Sequence, residues 1–232
     1  MKPPAKSSPP SAAAAPRHGI LIVDDHPFMR AGLAQLIERQ ADLRVCGEAG
    51  NPTEAFTALA KTTPALVLTD LTMPGRSGLE VIRDLQAARA ELAVLVLSMH
   101  DELVFAERAL RAGARGYIMK EAGGENLLAA IRQVLRGERY VSPRVADRIL
   151  DNVSSRRPRG SNSPIEKLTD REFEVFQHIG LGLSTKEIAG QLNLSSKTVD
   201  VHRGHIKEKL ALKDVTALVR HAMRWVETRP VE

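Results

Sequence analysis

Long apolar runs, disulfide-forming cysteines and a strong excess of one charge are all missing from this chain. No stretch approaches the roughly 20 apolar residues of a membrane span, and the alanine-rich start lacks the apolar core of a secretory signal, so a cytoplasmic protein with no membrane partner is expected. The single cysteine, Cys46, cannot close an internal disulfide, which fits a reducing compartment; a small core thiol is a simpler role for it than a nucleophile. Lys and Arg number 33 against 28 Asp and Glu, a net charge of only +5. Any grip on nucleic acid must therefore come from a local face, repeated in paired copies.

What is present suits two ordinary domains. The 232 residues are 43% hydrophobic and 26% charged, enough for two separate cores. Residues 1–17 are expected to be a disordered tail, since their Pro, Ala and Ser have little to bury. From 18 to 141 strand-like and helix-like segments alternate: strands at 20–23, 43–49, 66–69, 93–97 and 116–119, helices at about 27–39, 53–61, 78–88, 103–112 and 125–136. Five βα units with right-handed crossovers predict an α/β fold, a doubly wound five-stranded parallel sheet. Residues 142–163 break the periodicity at Ser154-Ser155-Arg156-Arg157-Pro158-Arg159-Gly160-Ser161 and read as a linker, entered by a short helix at about 143–151.

Beyond it, residues 164–232 carry no strand signal. Thr169-Asp170-Arg171-Glu172 and Ser184-Thr185-Lys186-Glu187 are capping boxes, Ser195 or Ser196 starts a third helix running to about Leu210, and Asp214 a fourth running to about Arg224. A second, all-α four-helix domain is expected.

The chemistry sits at the strand ends. Ile20-Leu21-Ile22-Val23 closes on Asp24-Asp25, Leu66-Val67-Leu68-Thr69 on Asp70, Val94-Leu95-Val96-Leu97 on Ser98, and Tyr117-Ile118-Met119 on Lys120. Near-continuous apolar runs are parallel strands buried on both faces, whose polar residues meet water only at the carboxyl edge, where open α/β sheets bind ligands. Clustered carboxylates repel unless a cation sits among them, and hard oxygen donors suit Mg²⁺. Asp25 and Asp70 are expected to hold it directly and Asp24 through water. Asp70 is then placed to attack a phosphoryl group, with the Lys120 ammonium neutralising the product. For any one of these residues a solvated loop is the simpler reading; four matched strand ends argue against it. After Asp70, Met73-Pro74-Gly75-Arg76-Ser77-Gly78 reads as a tight turn into the next helix.

Over about residues 18–140 the chain resembles the receiver domain of bacterial two-component response regulators, on Val23-Asp24-Asp25-His26-Pro27, Asp70-Leu71-Thr72-Met73-Pro74-Gly75, Ser98 and Gly116-Tyr117 with Lys120. The resemblance implies a flavodoxin-like receiver whose Asp70 accepts phosphate from a sensor histidine kinase or a small phosphodonor, with Mg²⁺ required. It also implies that the Thr72 main-chain carbonyl is the third protein ligand, and that Ser98 and Tyr117 form the switch: the hydroxyl turns to the phosphoryl oxygen and the ring fills the space vacated. Thr72 and His100 occupy positions that affect phosphate lifetime in this family.

In the third C-terminal helix, Val199, His202, Ile206 and Leu210 fall on an inner face. Lys197, Asp200, Val201, Gly204 and Glu208 fall outside, with Arg203 and Lys207 on a flank. An exposed Val201 suits a thymine methyl, and flanking cations suit phosphates. Periodicity alone serves a plain helical bundle as well. However, Leu168-Thr169-Asp170-Arg171-Glu172, Thr185-Lys186-Glu187-Ile188-Ala189 and Ser196-Lys197-Thr198-Val199-Asp200-Val201-His202-Arg203 are similar to the LuxR-type helix-turn-helix. Joined to the receiver, this implies a regulator of the NarL/FixJ type. Lys186, Lys197, Thr198, Asp200, Val201, Arg203 and Lys207 are then the candidate DNA contacts. Asp200 and Gly204 depart from relatives that carry cations there.

The expected function is a phosphorylation-controlled transcriptional regulator, not an enzyme, whose partners are a sensor kinase, promoter DNA, RNA polymerase and a second copy of itself when phosphorylated. Val215, Leu218, Val219 and Met223 of the fourth helix could pair copies or be buried in one chain. A phosphatase using an aspartyl-phosphate fits less well, since it commonly carries a DxD pattern where this chain has adjacent aspartates. A protein-binding adaptor is separated from a DNA reader by a gel shift.

Overall fold

The computed structural model describes residues 17–73, 76–154 and 164–227. Residues 1–16 of the expected tail, Pro74-Gly75 of the turn and most of the Ser/Arg-rich linker run lie outside the described residues, whereas Arg17 pairs with Glu38 at 2.9 Å.

Five strands, β1 His18–Val23, β2 Leu43–Ala49, β3 Leu66–Thr69, β4 Ala93–Ser98 and β5 Gly116–Met119, form one parallel sheet in the order β2-β1-β3-β4-β5. Their connections carry α1 Pro27–Glu38, α2 Pro52–Lys61, α3 Gly78–Ala88 and α4 Glu102–Arg111, with α5 Gly124–Leu135 following β5. This is the doubly wound order that reverses between β1 and β3.

Side-chain alternation explains the three layers. Ile20, Ile22, Leu66, Leu68, Leu95 and Leu97 point to one face, where they meet Leu33 and Ile37 of α1 and Leu127, Ile131 and Val134 of α5. Leu21, Val23, Val67, Val94 and Val96 point to the other, against Ala55 and Leu59 of α2, Leu79, Ile82 and Leu85 of α3, and Phe105 of α4. With both faces covered, β1, β3, β4 and β5 lose the polar alternation of a half-exposed sheet and read as apolar runs, while the edge strand β2 keeps exposed Arg44 and Glu48.

Gly78 begins α3 where the chain after Asp70 passes close by. A Cβ there would lie 2.4 Å from both Leu71 Cα and Leu71 O. Only glycine allows the amide of residue 78 to reach the Leu71 carbonyl at 3.1 Å and fold the loop back on the helix.

A helix α6, Pro143–Ser154, follows the sheet, so the helical entry to the linker runs one turn further than expected. Ser142 ties its start to α4 through Glu102, at 2.7 Å. The helical domain holds α7 Asp170–Gly180, α8 Thr185–Gln191, α9 Ser196–Lys209 and α10 Val215–Glu227. Thr169 and Ser184 form both halves of their capping boxes, and Ser195 accepts from the Thr198 amide. Phe173, Phe176, Ile188, Val199, Ile206 and Leu218 make its core.

The helical domain docks on the sheet domain through α7. Phe173 meets Phe105 of α4 edge to face at 5.4 Å, and the Arg108 guanidinium lies 3.8 Å above the Phe173 ring. Asp170 pairs with Arg83 at 2.6 Å and with Arg108 at 3.3 Å. No described helix is long and apolar enough to cross a membrane.

Candidate functional site

The carboxyl edge of the sheet gathers the strand-end residues into one cluster. Asp24 and Asp70 follow β1 and β3, which are neighbours in the sheet, and the Asp70 amide donates to the Val23 carbonyl at 2.9 Å. Lys120, directly after β5, reaches back across β4: its Nζ donates to Asp24 Oδ2 at 2.7 Å and to Asp70 Oδ2 at 2.8 Å. All three side chains are nearly buried, so each charge depends on the others. Burial pushes the Asp70 carboxyl above its ordinary range, against the pull of Lys120. Burial acts to lower the Lys120 ammonium, but Asp70 and Asp24 outweigh it and hold its pKa up.

Asp24, Asp25, His26 and Asp70 each offer a ligand atom, all within 4.8 Å of one another. Asp24 Oδ1 is oriented by the His26 amide at 2.8 Å. Asp25 Oδ1 lies 2.8 Å from His26 Nδ1 but out of hydrogen-bond alignment, and this buried oxygen has no donor among the described residues. Three carboxylates against one ammonium leave about two negative charges (−3 + 1), which a divalent cation matches.

Ser98 ends β4 fully buried, and its hydroxyl accepts from the His100 amide at 3.1 Å. Tyr117 is 1% exposed. Its hydroxyl donates to the His100 carbonyl at 2.7 Å, and burial pushes its pKa well up. Thr72 donates its amide to Asp70 Oδ1 at 3.2 Å, while its hydroxyl meets His100 Nε2 at 2.9 Å. His100, half-buried beside the site, is held at its amide, carbonyl and ring.

In the helical domain, Val199 and Ile206 of α9 and Leu210 at its C-cap face inward with His202 half-buried, and Lys197, Asp200, Val201 and Glu208 are exposed. Lys186 is exposed on α8. Two of the candidate contacts are already occupied: the Arg203 guanidinium donates to Thr185 Oγ1, and Thr198 closes the α9 cap with Ser195. Lys207 is half-buried on the flank.

Comparison with known proteins settles the family. Residues 20–132 match the response regulator receiver domain, and residues 166–222 match the bacterial regulatory proteins of the luxR family. The oxygen regulatory protein NreC of Staphylococcus carnosus is 34% identical over 209 residues, 88% of this chain and 96% of its own length. The chain is a response regulator. Among solved structures, a LuxR-family two-component response regulator from Aurantimonas is 37% identical over 60% of this chain and 99% of its own, with a TM-score of 0.56. RcsB of Salmonella enterica, solved on the promoter P1flhDC with the phosphomimetic BeF3⁻, is 25% identical over 89% of this chain and 98% of its own, with a TM-score of 0.58. The flavodoxin-like receiver and the LuxR-type helix-turn-helix are therefore established for this response regulator, and with them phosphorylation-controlled regulation of transcription.

The interdomain contacts were not found from sequence. Glu174, Arg83, Arg108 and Asp170 sit on exposed-looking helical positions, and a charge on a helix face carries no signal of a partner roughly 60 to 100 residues away.

Proposed function

We propose that Asp70 is the phosphoacceptor of this response regulator and that its modification changes the receiver surface, favours a dimer or frees the C-terminal domain, and so strengthens binding to paired promoter half-sites. The observation that supports this most is the Lys120 ammonium shared between Asp24 and Asp70, which puts a cation beside Asp70 to counter the charge of the incoming phosphoryl oxygens. Asp70 Oδ attacks the phosphorus of a phosphohistidine on the sensor kinase. An O–P bond forms, the N–P bond breaks, and the departing imidazole keeps the electron pair. Lys120 then pairs with the phosphoryl oxygens, and Ser98 turns its hydroxyl proton towards one of them.

The donor set, carboxylates of Asp24, Asp25 and Asp70 with the Thr72 carbonyl, fits Mg²⁺, with Asp24 acting through water. When bound, the ion draws charge from the phosphoryl oxygens. The chain acts as a regulator rather than as an enzyme on a small substrate, in the cytoplasm, with RNA polymerase as the partner on which promoter binding acts. We take the receiver as 18–141 and the DNA-binding domain as 164–232, joined by 142–163. Lys197 and Lys207 hold phosphates, with Lys186, Arg203 and Thr198 beside them, and Val201 and Asp200 meet base edges.

The test is incubation with acetyl phosphate and Mg²⁺ followed by selection of bound genomic fragments. Enrichment of discrete fragments in wild type, absent in Asp70→Ala, is expected. An equal response in Asp70→Ala would overturn the assignment.

A further inference from the structure

Ser77 occupies the N-cap of α3 and does not cap it. Its backbone, φ −63° and ψ 133°, is extended as a capping residue requires, close to the Thr169 and Ser195 caps at −60°, 163° and −78°, 150°. Three residues on stands Glu80, so Ser77-Gly78-Leu79-Glu80 has the same Ser/Thr-x-x-Glu pattern as the boxes closed at Thr169 and Ser184. The box at α3 is not made. The Ser77 hydroxyl instead donates to Glu174 Oε1 of α7 at 2.9 Å. Both residues are buried, and the other carboxylate oxygen of Glu174 is held by Arg171 at 2.6 Å. A serine that could close a local cap is spent on a bond to the other domain.

We propose that Ser77 is a two-position latch: in the docked arrangement it holds Glu174, and when α7 departs it rotates to close the capping box with Glu80. The exchange needs only a turn about χ1, because the backbone already has the capping conformation. It takes place at the far end of the segment that follows Asp70, and the Gly78 amide ties that end to Leu71. The latch rests on the reading of Asp70 as phosphoacceptor only in that phosphorylation is what drives α7 away; the exchange itself is independent of the chemistry. Its consequence is that undocking leaves the Ser77 hydroxyl satisfied. The recovered cap offsets about fivefold of the cost of breaking the stronger, charge-assisted bond to Glu174.

Three variants of the full-length, unphosphorylated chain test this, read by small-angle scattering and by amide hydrogen exchange at Glu80. Ser77→Asp supplies a strong cap and places a second carboxylate against Glu174. An expanded chain with a protected Glu80 amide is expected. Glu174→Gln alone keeps an acceptor for Ser77 and stays compact. In the double variant Ser77→Asp/Glu174→Gln the new amide donates to the new carboxylate, so the compact form returns. A compact Ser77→Asp, or a double variant as expanded as the single, overturns the proposal. Should Ser77→Asp not fold, Ser77→Ala serves: expansion without protection at Glu80 is expected, and a compact chain counts against the latch. Wild type treated with acetyl phosphate, beside Asp70→Ala, separates the two readings. If the phosphodonor has no effect but the variants behave as stated, the latch holds and the Asp70 assignment fails.

Discussion

The imidazole Nε2 of His100 lies 2.9 Å from the hydroxyl of Thr72, and the same imidazole ring packs 4.7 Å from Phe105, which in turn meets Phe173 of the DNA-binding domain. His100 thus touches the loop after Asp70 on one side and the docking contact on the other. Its amide donates to the Ser98 hydroxyl and its carbonyl accepts from Tyr117.

Thr72→Ala removes the hydroxyl partner of His100 without touching the Thr72 carbonyl. A hydrogen bond of this kind contributes ~1 kcal/mol net, so the rate of phosphate loss should change by roughly fivefold while phosphorylation by acetyl phosphate persists. Following the decay of the phosphorylated protein on phosphate-affinity gels measures this; a variant that no longer accepts phosphate would count against the assignment.

Asp25→Asn removes one of three clustered carboxylates whose buried oxygen lacks a donor. Without divalent ion the variant should be more stable than wild type by roughly 1 kcal/mol, since a like-charge repulsion is relieved. Wild type should gain about 2.7 kcal/mol at 100 times the dissociation constant for Mg²⁺, and the variant should lose most of that gain. Thermal melts with Mg²⁺ and with EDTA decide it.

On the DNA side, Lys197 and Val201 are both exposed on α9 but should fail differently. Lys197→Ala is expected to weaken binding to all sequences and to lower the salt slope of log K by about 1. Val201→Ala should leave the slope alone and lose roughly 1 kcal/mol of discrimination between the preferred site and its variants. Titrations of one selected fragment at several salt concentrations separate the two.

His178 of α7 is buried, and burial, with the Arg171 charge beside it, lowers its pKa below the ordinary 6.5. Between its folded pKa and 6.5 the unfolded chain binds the extra proton, so stability is complete above 6.5 and falls as the solution is acidified. His178→Gln should flatten this part of the stability curve. Urea denaturation between pH 5 and about pH 7.5 provides the check; an unchanged slope would remove His178 as a contributor.

The polar edge was legible because β1, β3, β4 and β5 are buried along their runs, which leaves polar residues to stand at their ends, whereas the half-exposed edge strand β2 carries Arg44 and Glu48 within its run. Asp24, Asp70, Ser98 and Lys120 therefore stand out against Ile, Leu and Val. The helix starts at Thr169 and Ser184 were legible for an equally local reason, four residues containing both halves of the cap. Ser77 shows where local reading stops: it carries the same four-residue pattern, yet its hydroxyl goes to Glu174, a choice made by docking. Arg203 is similar, since its place on the flank of α9 follows from periodicity but its bond to Thr185 depends on how α8 crosses α9.

Trp225 of α10 is the chain's one tryptophan, and its indole stacks edge-on against Phe173 at 5.5 Å and Phe176 at 5.6 Å. Phe173 is also the ring that Arg108 and Phe105 of the receiver hold. Any parting of the two halves alters the surroundings of that indole at one remove, so the protein carries an intrinsic fluorophore for its own opening, readable in wild type without a label.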